Sequence, residues 1–154
     1  MKILIAVDES EYTQAIVDFV VKSQWSASNI IVLNVVDPLK INSLMAVLPG
    51  PILDEMVEKN LQRAKTTTTS AANQIRSAMK SCQVREEILE GKAAQVILEL
   101  AQEWRADLIV MGSHGKTGFS KLLLGSVSLA VTSHASCSVL IVRLKSDPDL
   151  KMAP

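Results

Sequence analysis

The residues best suited to chemistry lie in one stretch, residues 107–128. An apolar run, residues 108–111, stops at Gly112, and a polar loop follows before Gly125 and Ser126 open what is predicted to be a helix. A strand that ends in a glycine-rich turn lets backbone N–H groups approach an anion, and the start of a following helix adds unpaired N–H donors. This arrangement favours a phosphate-binding site.

Side chains in the same stretch can add to such a site. Lys116, Lys121 and His114 offer cationic or donor groups, and Ser126 and Ser128 bring hydroxyls to the first turn of the helix. The role of His114 stays open at this point, because a lone loop histidine is often only solvated. The glycines are open too, since each could serve a turn and nothing else.

Two well-known phosphate signatures are excluded by spacing. Residues 115–117, Gly-Lys-Thr, match the end of a P-loop, but the P-loop also needs a glycine at position 110, where the chain has Val110. The dinucleotide fingerprint needs glycines spaced by two and then three residues. Gly112, Gly115 and Gly118 are spaced by three and three, and they lie late in the chain.

A second chemical feature follows the first predicted strand. Residues 2–7 form a nearly continuous apolar run, typical of a parallel strand buried on both faces, and the run ends at Asp8. A carboxylate at the carboxyl end of a parallel strand lies where open α/β sheets bind ligands. The competing interpretation is that Asp8 is a turn residue or a cap for the next helix.

The elements that must position these residues alternate along the chain. Apolar runs and helical spacing predict five strands with helices between them, and residues 39–51 are predicted to be a loop. Such a pattern indicates an α/β protein with right-handed crossovers and a Rossmann-like, doubly wound, five-stranded parallel sheet with helices on both faces. The predicted strands are residues 2–7, 30–36, 83–89, 108–111 and 139–142; the predicted helices cover about 11–25, 53–80 and 94–104 and the segment opened by 125–126.

The order of the strands follows from their charge. The third strand carries Arg85, Glu86 and Glu87, which suits an edge, whereas the apolar first strand suits the middle. The predicted order is therefore 3-2-1-4-5, with the change of winding direction between the first and fourth strands. This order brings Asp8 and Gly112 to one crevice, where such sheets bind ligands.

Composition limits the classes of protein. The chain has 154 residues and is 48% hydrophobic, which suits one domain, residues 1–145, with a flexible tail, 146–154. Sixteen basic residues balance sixteen acidic ones, so attraction to nucleic acid or an anionic membrane is not expected. No apolar run approaches the roughly 18 residues of a membrane span, and no signal peptide is visible, so a cytoplasmic location is expected. The two cysteines, Cys82 and Cys137, are too few for a disulfide scaffold and lack metal-site spacing.

The glycine spacing resembles that of a known family. Gly112, Gly115, Gly125 and Ser126 follow the pattern glycine, two residues, glycine, nine residues, glycine, then serine or threonine. This pattern is that of the ATP-binding members of the universal stress protein family. The resemblance covers nearly the whole chain, including the opening strand to Ser10, residues 91–111, and the closing segment 134–143, where two serines stand in places that often hold prolines in the family.

The resemblance implies a ligand and its contacts. The ligand would be ATP, either alone or with Mg²⁺; Asp8 would face ribose and adenine, the backbone of Val35 would meet the adenine, and phosphates would lie along residues 112–128. No catalytic residue and no metal ligand of the protein is implied. The expected nucleotide-binding residues are Ala6, Val7, Asp8, Val35, Met111, Gly112, His114, Gly115, Gly125, Ser126, Val127 and Ser128.

The expected function is regulatory. Phosphoryl transfer needs a carboxylate that holds a metal, and the motif stretch has no acidic residue after Asp107. The family implies an ATP-binding stress-response protein with at most slow ATP hydrolysis, a homodimer formed through residues 139–143, and an unidentified protein partner. Two alternatives stay open: a nucleotide-dependent enzyme, either an ATPase or a phosphotransferase, and an interaction module without nucleotide.

Overall fold

The structure is a computed structural model of the whole chain and describes residues 1–23, 25–26, 29–37, 50–115 and 124–144. Three sequence predictions lie outside these residues. They are the loop over 39–49, the tail 146–154, and the contributions of Lys116, Gly118 and Lys121 to the phosphate loop.

The described residues form five parallel strands and four helices. Their order across the sheet is β3-β2-β1-β4-β5, which confirms the predicted topology. In chain order the elements are β1 (Lys2–Val7), α1 (Tyr12–Lys22), β2 (Asn29–Val36), α2 (Gly50–Ala78), β3 (Gln83–Glu90), α3 (Ala93–Trp104), β4 (Leu108–Gly112), α4 (Ser126–His134) and β5 (Ser138–Val142).

The core covers both faces of the sheet. On one face Ile3 and Ile5 of β1 pack with residues of α1 and α2, and on the other face Leu4 packs with residues of α3 and α4. All three side chains are completely buried. A strand with helices on both sides has no solvent face, which explains why β1 reads as a continuous apolar run instead of an alternating one.

The charged strand β3 lies at an edge of the sheet, as predicted. Its Glu86 accepts a hydrogen bond from the Thr69 hydroxyl of α2 at 2.6 Å and pairs with Arg76 of α2 at 2.7 Å. Arg76 also donates to the carbonyl of Val84 at 3.1 Å. Glu86 and the carbonyl of Val84 therefore bond the edge strand to the helix that packs on it.

Three predicted boundaries were wrong by more than a residue, and one of them is the end of α2, which is Ala78 and not about residue 80. Helix α1 ends at Lys22 and not near residue 25, and helix α2 begins at Gly50, so Gly50 and Pro51 belong to a helix and not to the predicted loop. Proline is compatible with a first helical turn, because an N–H group there has no carbonyl partner inside the helix.

The amino edge of the sheet is closed by polar contacts among Lys2, Trp104 and Asp107. The backbone N–H of Lys2 donates to the Asp107 carboxylate at 2.6 Å, and the Asp107 N–H donates to the Lys2 carbonyl at 2.9 Å. The Lys2 ammonium donates to the Trp104 carbonyl at 3.0 Å and lies 5.6 Å from the centre of the indole ring. One lysine thus ties β1 to the end of α3 and the start of β4.

Neither cysteine forms a disulfide bond, and both are half-buried. Burial raises the pKa of the Cys137 thiol, and the negative charge of Asp107 adds to the effect. A raised pKa keeps a thiol protonated and unreactive near neutral pH, in agreement with a packing role. In the described part of the chain, no helix combines the length and apolar character needed to cross a membrane.

Candidate functional site

The predicted site residues lie together at the carboxyl edge of the sheet. Asp8 directly follows β1, Gly112 is the last residue of β4, and β1 and β4 are hydrogen-bonded neighbours. Val35 of β2 is one residue beyond the pair formed by Val7 and Asn34, so it is level with Asp8. The strand order therefore joins segments that are far apart in the sequence.

Asp8 is held by its own turn. The Thr13 hydroxyl donates to the Asp8 carbonyl at 2.6 Å and accepts from the Asp8 N–H at 3.1 Å. The carboxylate oxygen Oδ1 accepts from the backbone N–H of Ser10 at 3.1 Å and from the Ser10 hydroxyl. This is a turn stabilised by aspartate and not a helix cap, since the N-cap position of α1 is Glu11, whose side chain makes no capping hydrogen bond.

The other carboxylate oxygen of Asp8 meets the loop after β4. A Cβ atom on Gly115 would lie 2.7 Å from Asp8 Oδ2 and 3.7 Å from Asp8 Cγ. Real Cβ atoms essentially never come that close to another atom, so only a glycine allows the loop to pass at this distance. The second motif glycine therefore sets the approach of the predicted phosphate loop to the predicted nucleoside residue.

The first motif glycine makes room for an aromatic side chain. A Cβ atom on Gly112 would lie 2.7 Å from Tyr12 Cβ, 2.9 Å from Tyr12 Cγ and 2.9 Å from the His114 carbonyl oxygen. Tyr12, the first residue of α1, is thus a site residue that the sequence analysis missed. An aromatic residue in the first turn of a helix carries no pattern that would mark it as part of a site.

His114 is buried between the motif glycines. Its side chain is 9% exposed, and its ring nitrogen Nδ1 lies 3.4 Å from the Tyr12 hydroxyl and 3.2 Å from the Ser113 hydroxyl. Ser113 is completely buried. This burial contradicts the interpretation of His114 as a solvated loop side chain, and its contact with a ligand stays a prediction.

The third motif glycine places the start of α4 against this loop. The Gly125 N–H donates to the Ser113 carbonyl at 2.8 Å, and a Cβ on Gly125 would lie 3.3 Å from that oxygen and 3.4 Å from His114 Cα. The helix's first internal hydrogen bond runs from the Leu129 N–H to the Gly125 carbonyl. The N–H groups of residues 126–128 precede it and have no carbonyl partner inside the helix, so this terminus offers donors and a partial positive charge.

The two predicted hydroxyls differ in their surroundings. Ser126 is exposed, whereas Ser128 is buried and its hydroxyl donates to the Gly112 carbonyl at 2.8 Å. Ser128 therefore fixes the helix to the end of β4. Its side chain already has an acceptor within the protein.

The apolar residues among the predicted nucleotide-binding residues pack beneath the carboxyl edge of the sheet. Ala6, Val35, Met111 and Val127 all pack against the core cluster on the α3 and α4 face of the sheet. Val7 packs against the opposite cluster. Four of the five apolar residues therefore share one surface.

Acidic residues at this edge are not confined to Asp8. Glu9 follows Asp8 directly, and Asp37 follows β2 at the same edge of the sheet. The sequence analysis considered Asp8 and the motif stretch as sources of site carboxylates and gave no site role to Glu9 or Asp37. Among the described residues, no three histidine, cysteine, aspartate or glutamate side chains come together in a group that could hold a metal ion.

The fold and the edge geometry define a doubly wound α/β protein with converging backbone donors at the switch point of its sheet. The chain belongs to the universal stress protein family, which it matches over residues 1–143. Among the relatives, universal stress protein MJ0577 of Methanocaldococcus jannaschii is 31% identical over 129 residues, which cover 78% of this chain and 80% of that protein.

Solved structures agree with this membership. The structure of MJ0577 superposes with a TM-score of 0.81 at 28% identity and covers 94% of this chain and 96% of that one. A universal stress protein in complex with cAMP superposes with a TM-score of 0.64 at 22% identity and covers 93% of this chain and 96% of the other. The second likeness concerns the fold alone.

Proposed function

We propose that this protein binds an adenine nucleotide, in the first place ATP, at the carboxyl edge and acts as a cytoplasmic regulatory protein of the stress response. The observation that carries the proposal is the contact between Asp8 and Gly115. It joins the residue expected to face the nucleoside to the loop expected to hold the phosphates. A nucleotide needs such a junction, because its sugar lies between its base and its phosphates.

Each part of the nucleotide has a matching part of the edge. The phosphates would bind along Gly112 and Gly115 and at the backbone N–H groups of residues 126–128, where the start of α4 favours negative charge. The nucleoside would lie over Ala6, Val7 and Asp8, with the backbone of Val35 against the base. Met111 and Val127 would supply apolar surface, and His114 would add a side chain to the phosphate end.

Binding, and not turnover, is the proposed activity. A bound nucleotide can regulate a protein when it binds one conformation or assembly more tightly than another. ATP hydrolysis at this site is expected to be slow at most. Phosphate release in the presence of Mg²⁺ measures it, and turnover well above a blank reaction, lost in Asp8→Ala, would favour an enzyme instead.

The decisive experiment identifies the bound ligand and then tests a variant with a side chain at position 115 of the loop. Freshly purified protein is denatured and any released nucleotide is identified by chromatography; ATP, AMP and cAMP are then titrated into emptied protein. The expected result is micromolar affinity for ATP, abolished in Gly115→Val. Gly50→Ala is the matched control, because a Cβ on Gly50 meets no atom within 4 Å. Absence of both released nucleotide and binding would contradict the proposal.

The outer strand β5 supports a further part of the proposal, a homodimer formed through residues 139–143. This strand lies at one edge of the sheet, and the edge of a sheet offers unpaired backbone groups to a second chain. Leu129 on the neighbouring helix α4 is 55% exposed, which adds apolar surface nearby. Sedimentation equilibrium tests the assembly: a mass twice the 16.7 kDa of one chain is expected, and a monomer across micromolar concentrations would contradict it.

A further inference from the structure

Tyr12 occupies a place in the candidate site that no motif assigns to it. It is the first residue of α1, its side chain is 8% exposed, and its Cβ and Cγ atoms fill the space beside Gly112. The ring is tilted by 43° to the His114 ring, with 6.1 Å between the ring centres. Its hydroxyl thereby reaches a residue of the phosphate loop from a different part of the chain.

The contact between the two side chains joins two groups of complementary chemistry. In a neutral imidazole one ring nitrogen is a donor and the other is an acceptor. Two hydroxyls, of Tyr12 and Ser113, lie near the same nitrogen, His114 Nδ1. A phenolic hydroxyl has a pKa near 10, far below that of an aliphatic hydroxyl, so it is the stronger donor of the two. When the phenol donates, Nδ1 is the acceptor and a neutral ring carries its proton on Nε2.

We propose that Tyr12 is a positioning residue: its hydroxyl donates to His114 Nδ1 and so holds the imidazole with a proton on Nε2, as a hydrogen-bond donor for a nucleotide phosphate. The phosphate part rests on the proposed function. The proposed state of the ring does not, because it is argued from contacts within the protein.

The place of His114 favours a phosphate as the acceptor. Its backbone lies between Gly112 and Gly115 and is next to the start of α4, since a Cβ on Gly125 would lie 3.4 Å from His114 Cα and 3.7 Å from the ring atom Cδ2. The ring is thus adjacent to the helix terminus that offers unpaired N–H donors. Nε2 is bonded to Cδ2, so a proton on Nε2 adds a side-chain donor beside the backbone donors.

The distances set the size of the expected effect. The separations from Nδ1, 3.4 Å to Tyr12 and 3.2 Å to Ser113, exceed the usual 2.7–3.2 Å or lie at its upper limit. Removal of the Tyr12 hydroxyl is therefore expected to weaken the binding of phosphate-bearing ligands by about three- to tenfold, which is the range of one ordinary hydrogen bond.

The first test observes the ring itself. Nitrogen-15 NMR of uniformly labelled protein distinguishes a protonated from an unprotonated Nδ1 in His114. Unprotonated Nδ1 is expected in the wild type, and Tyr12→Phe, which keeps the ring beside Gly112, is expected to increase the protonated fraction. Ser113→Ala is the matched control, since it removes the other hydroxyl and is expected to change Nδ1 less. A protonated Nδ1 in the wild type, or an unchanged tautomer in Tyr12→Phe, would overturn the proposal.

The second test compares ATP with adenosine by calorimetry. Tyr12→Phe is expected to lower the affinity for ATP by about three- to tenfold and to leave the affinity for adenosine unchanged. In a His114→Gln background, Tyr12→Phe is expected to have no further effect on ATP, because the two residues act as one unit. Equal losses for both ligands, or additive losses with His114→Gln, would show that Tyr12 has only a packing role.

The two tests separate this proposal from the proposed function. If the wild type binds neither ATP nor adenosine, the proposed function fails and the phosphate role of His114 is overturned with it. The nitrogen shifts still decide whether Tyr12 sets the tautomer. If the wild type binds ATP but Tyr12→Phe binds it equally well, the proposed function holds and the positioning role fails.

Discussion

The amino and carboxyl ends of β1 and β4 differ in the kind of contact that they make. At the amino edge, Lys2 of β1 and Asp107 before β4 use charged and backbone groups to bond to each other and to the end of α3. At the carboxyl edge, the same two strands end at Asp8 and Gly112, where glycines allow contacts too close for any side chain. The amino edge is a closed set of polar pairs, whereas the carboxyl edge brings backbone donors to one place.

This difference separates stability from binding. Hydrogen bonds that are completed within the protein contribute to stability and offer nothing to a ligand. Close glycine contacts and the first N–H groups of a helix contribute less to stability but can receive an anion. Substitutions at the amino edge should therefore change unfolding alone, and substitutions at the carboxyl edge should change binding.

The largest expected effect tests whether the carboxyl edge can tolerate a side chain at the end of β4. Gly112→Val would place atoms 2.7 Å from Tyr12 Cβ and 2.9 Å from the His114 carbonyl, neither of which is the flexible end of a side chain. We expect a loss of about 1–3 kcal/mol in the free energy of unfolding, measured in urea, together with loss of ATP binding. Gly50→Ala is the control, and it should be as stable as the wild type or more stable. Wild-type stability in Gly112→Val would show that the edge is looser than the contacts indicate.

A smaller and more selective effect is expected at the loop. Gly115→Ala meets Asp8 Oδ2, the end of a side chain that can turn away, so we expect a change below about 1 kcal/mol in unfolding free energy. The affinity for ATP should nevertheless fall about tenfold or more, since the turned carboxylate no longer faces the nucleoside. Calorimetry and urea unfolding of the same sample give both values. If Gly115→Ala lowered the free energy of unfolding as much as it lowered the free energy of ATP binding, the separation of stability from binding would be contradicted.

The amino edge should show the opposite result. Asp107→Ala removes the acceptor of the Lys2 N–H and should lower the free energy of unfolding by about 1 kcal/mol. The affinity for ATP should stay at the wild-type value, because no contact of the candidate site is lost. A fall in affinity that exceeds the error of the titration would mean that the two edges are coupled through β1 and β4.

The smallest effect concerns pH and lies at the β3 side of the sheet. The Thr69 hydroxyl bond, followed by Arg76, holds the pKa of the Glu86 carboxyl below its usual range, against the opposing effect of burial. A depressed pKa in the folded state stabilises the protein above the unfolded pKa, near 4.5, and this contribution is lost as the pH falls through the folded value. Glu86→Gln should therefore be less stable than the wild type at pH 7, and the difference should shrink as the pH falls below 4.5 and through the lowered pKa of Glu86.

A difference between Glu86→Gln and the wild type that persists at low pH would assign the effect to packing. The variant's ATP affinity should equal that of the wild type at pH 7. An unchanged affinity would show that Glu86 contributes to the stability of the fold and not to ligand binding at the carboxyl edge.

The strand order was predictable because charge and apolar character differ between strands. Arg85, Glu86 and Glu87 marked β3 as an edge strand, and the unbroken apolar run of β1 marked the centre. With the order known, the carboxyl ends of β1 and β4 had to meet, and so the proximity of Asp8 to the glycine loop was also predictable. The start of α2 was not, since proline suits both a loop and the first turn of a helix.

The contacts inside the site were not predictable from spacing. Tyr12 has the helical position of an ordinary packing residue, and its contact with His114 depends on how α1 lies over the end of β4. The burial of His114 also depends on that packing, which is why the sequence left its role open. Residue types indicated where a ligand could bind, but tertiary contacts decide which side chains form the wall.

The contact between Tyr12 and His114 joins residues that are 102 positions apart, and this separation has a consequence for biosynthesis. At about 5–20 residues per second, a ribosome adds the later partner roughly 5–20 s after the earlier one. During that interval β1 can pair with β2 but not with β4, so Asp8 does not yet have the glycine loop beside it. Since a ligand stabilises only the state that binds it, the proposed nucleotide would stabilise the chain only after His114 has left the exit tunnel.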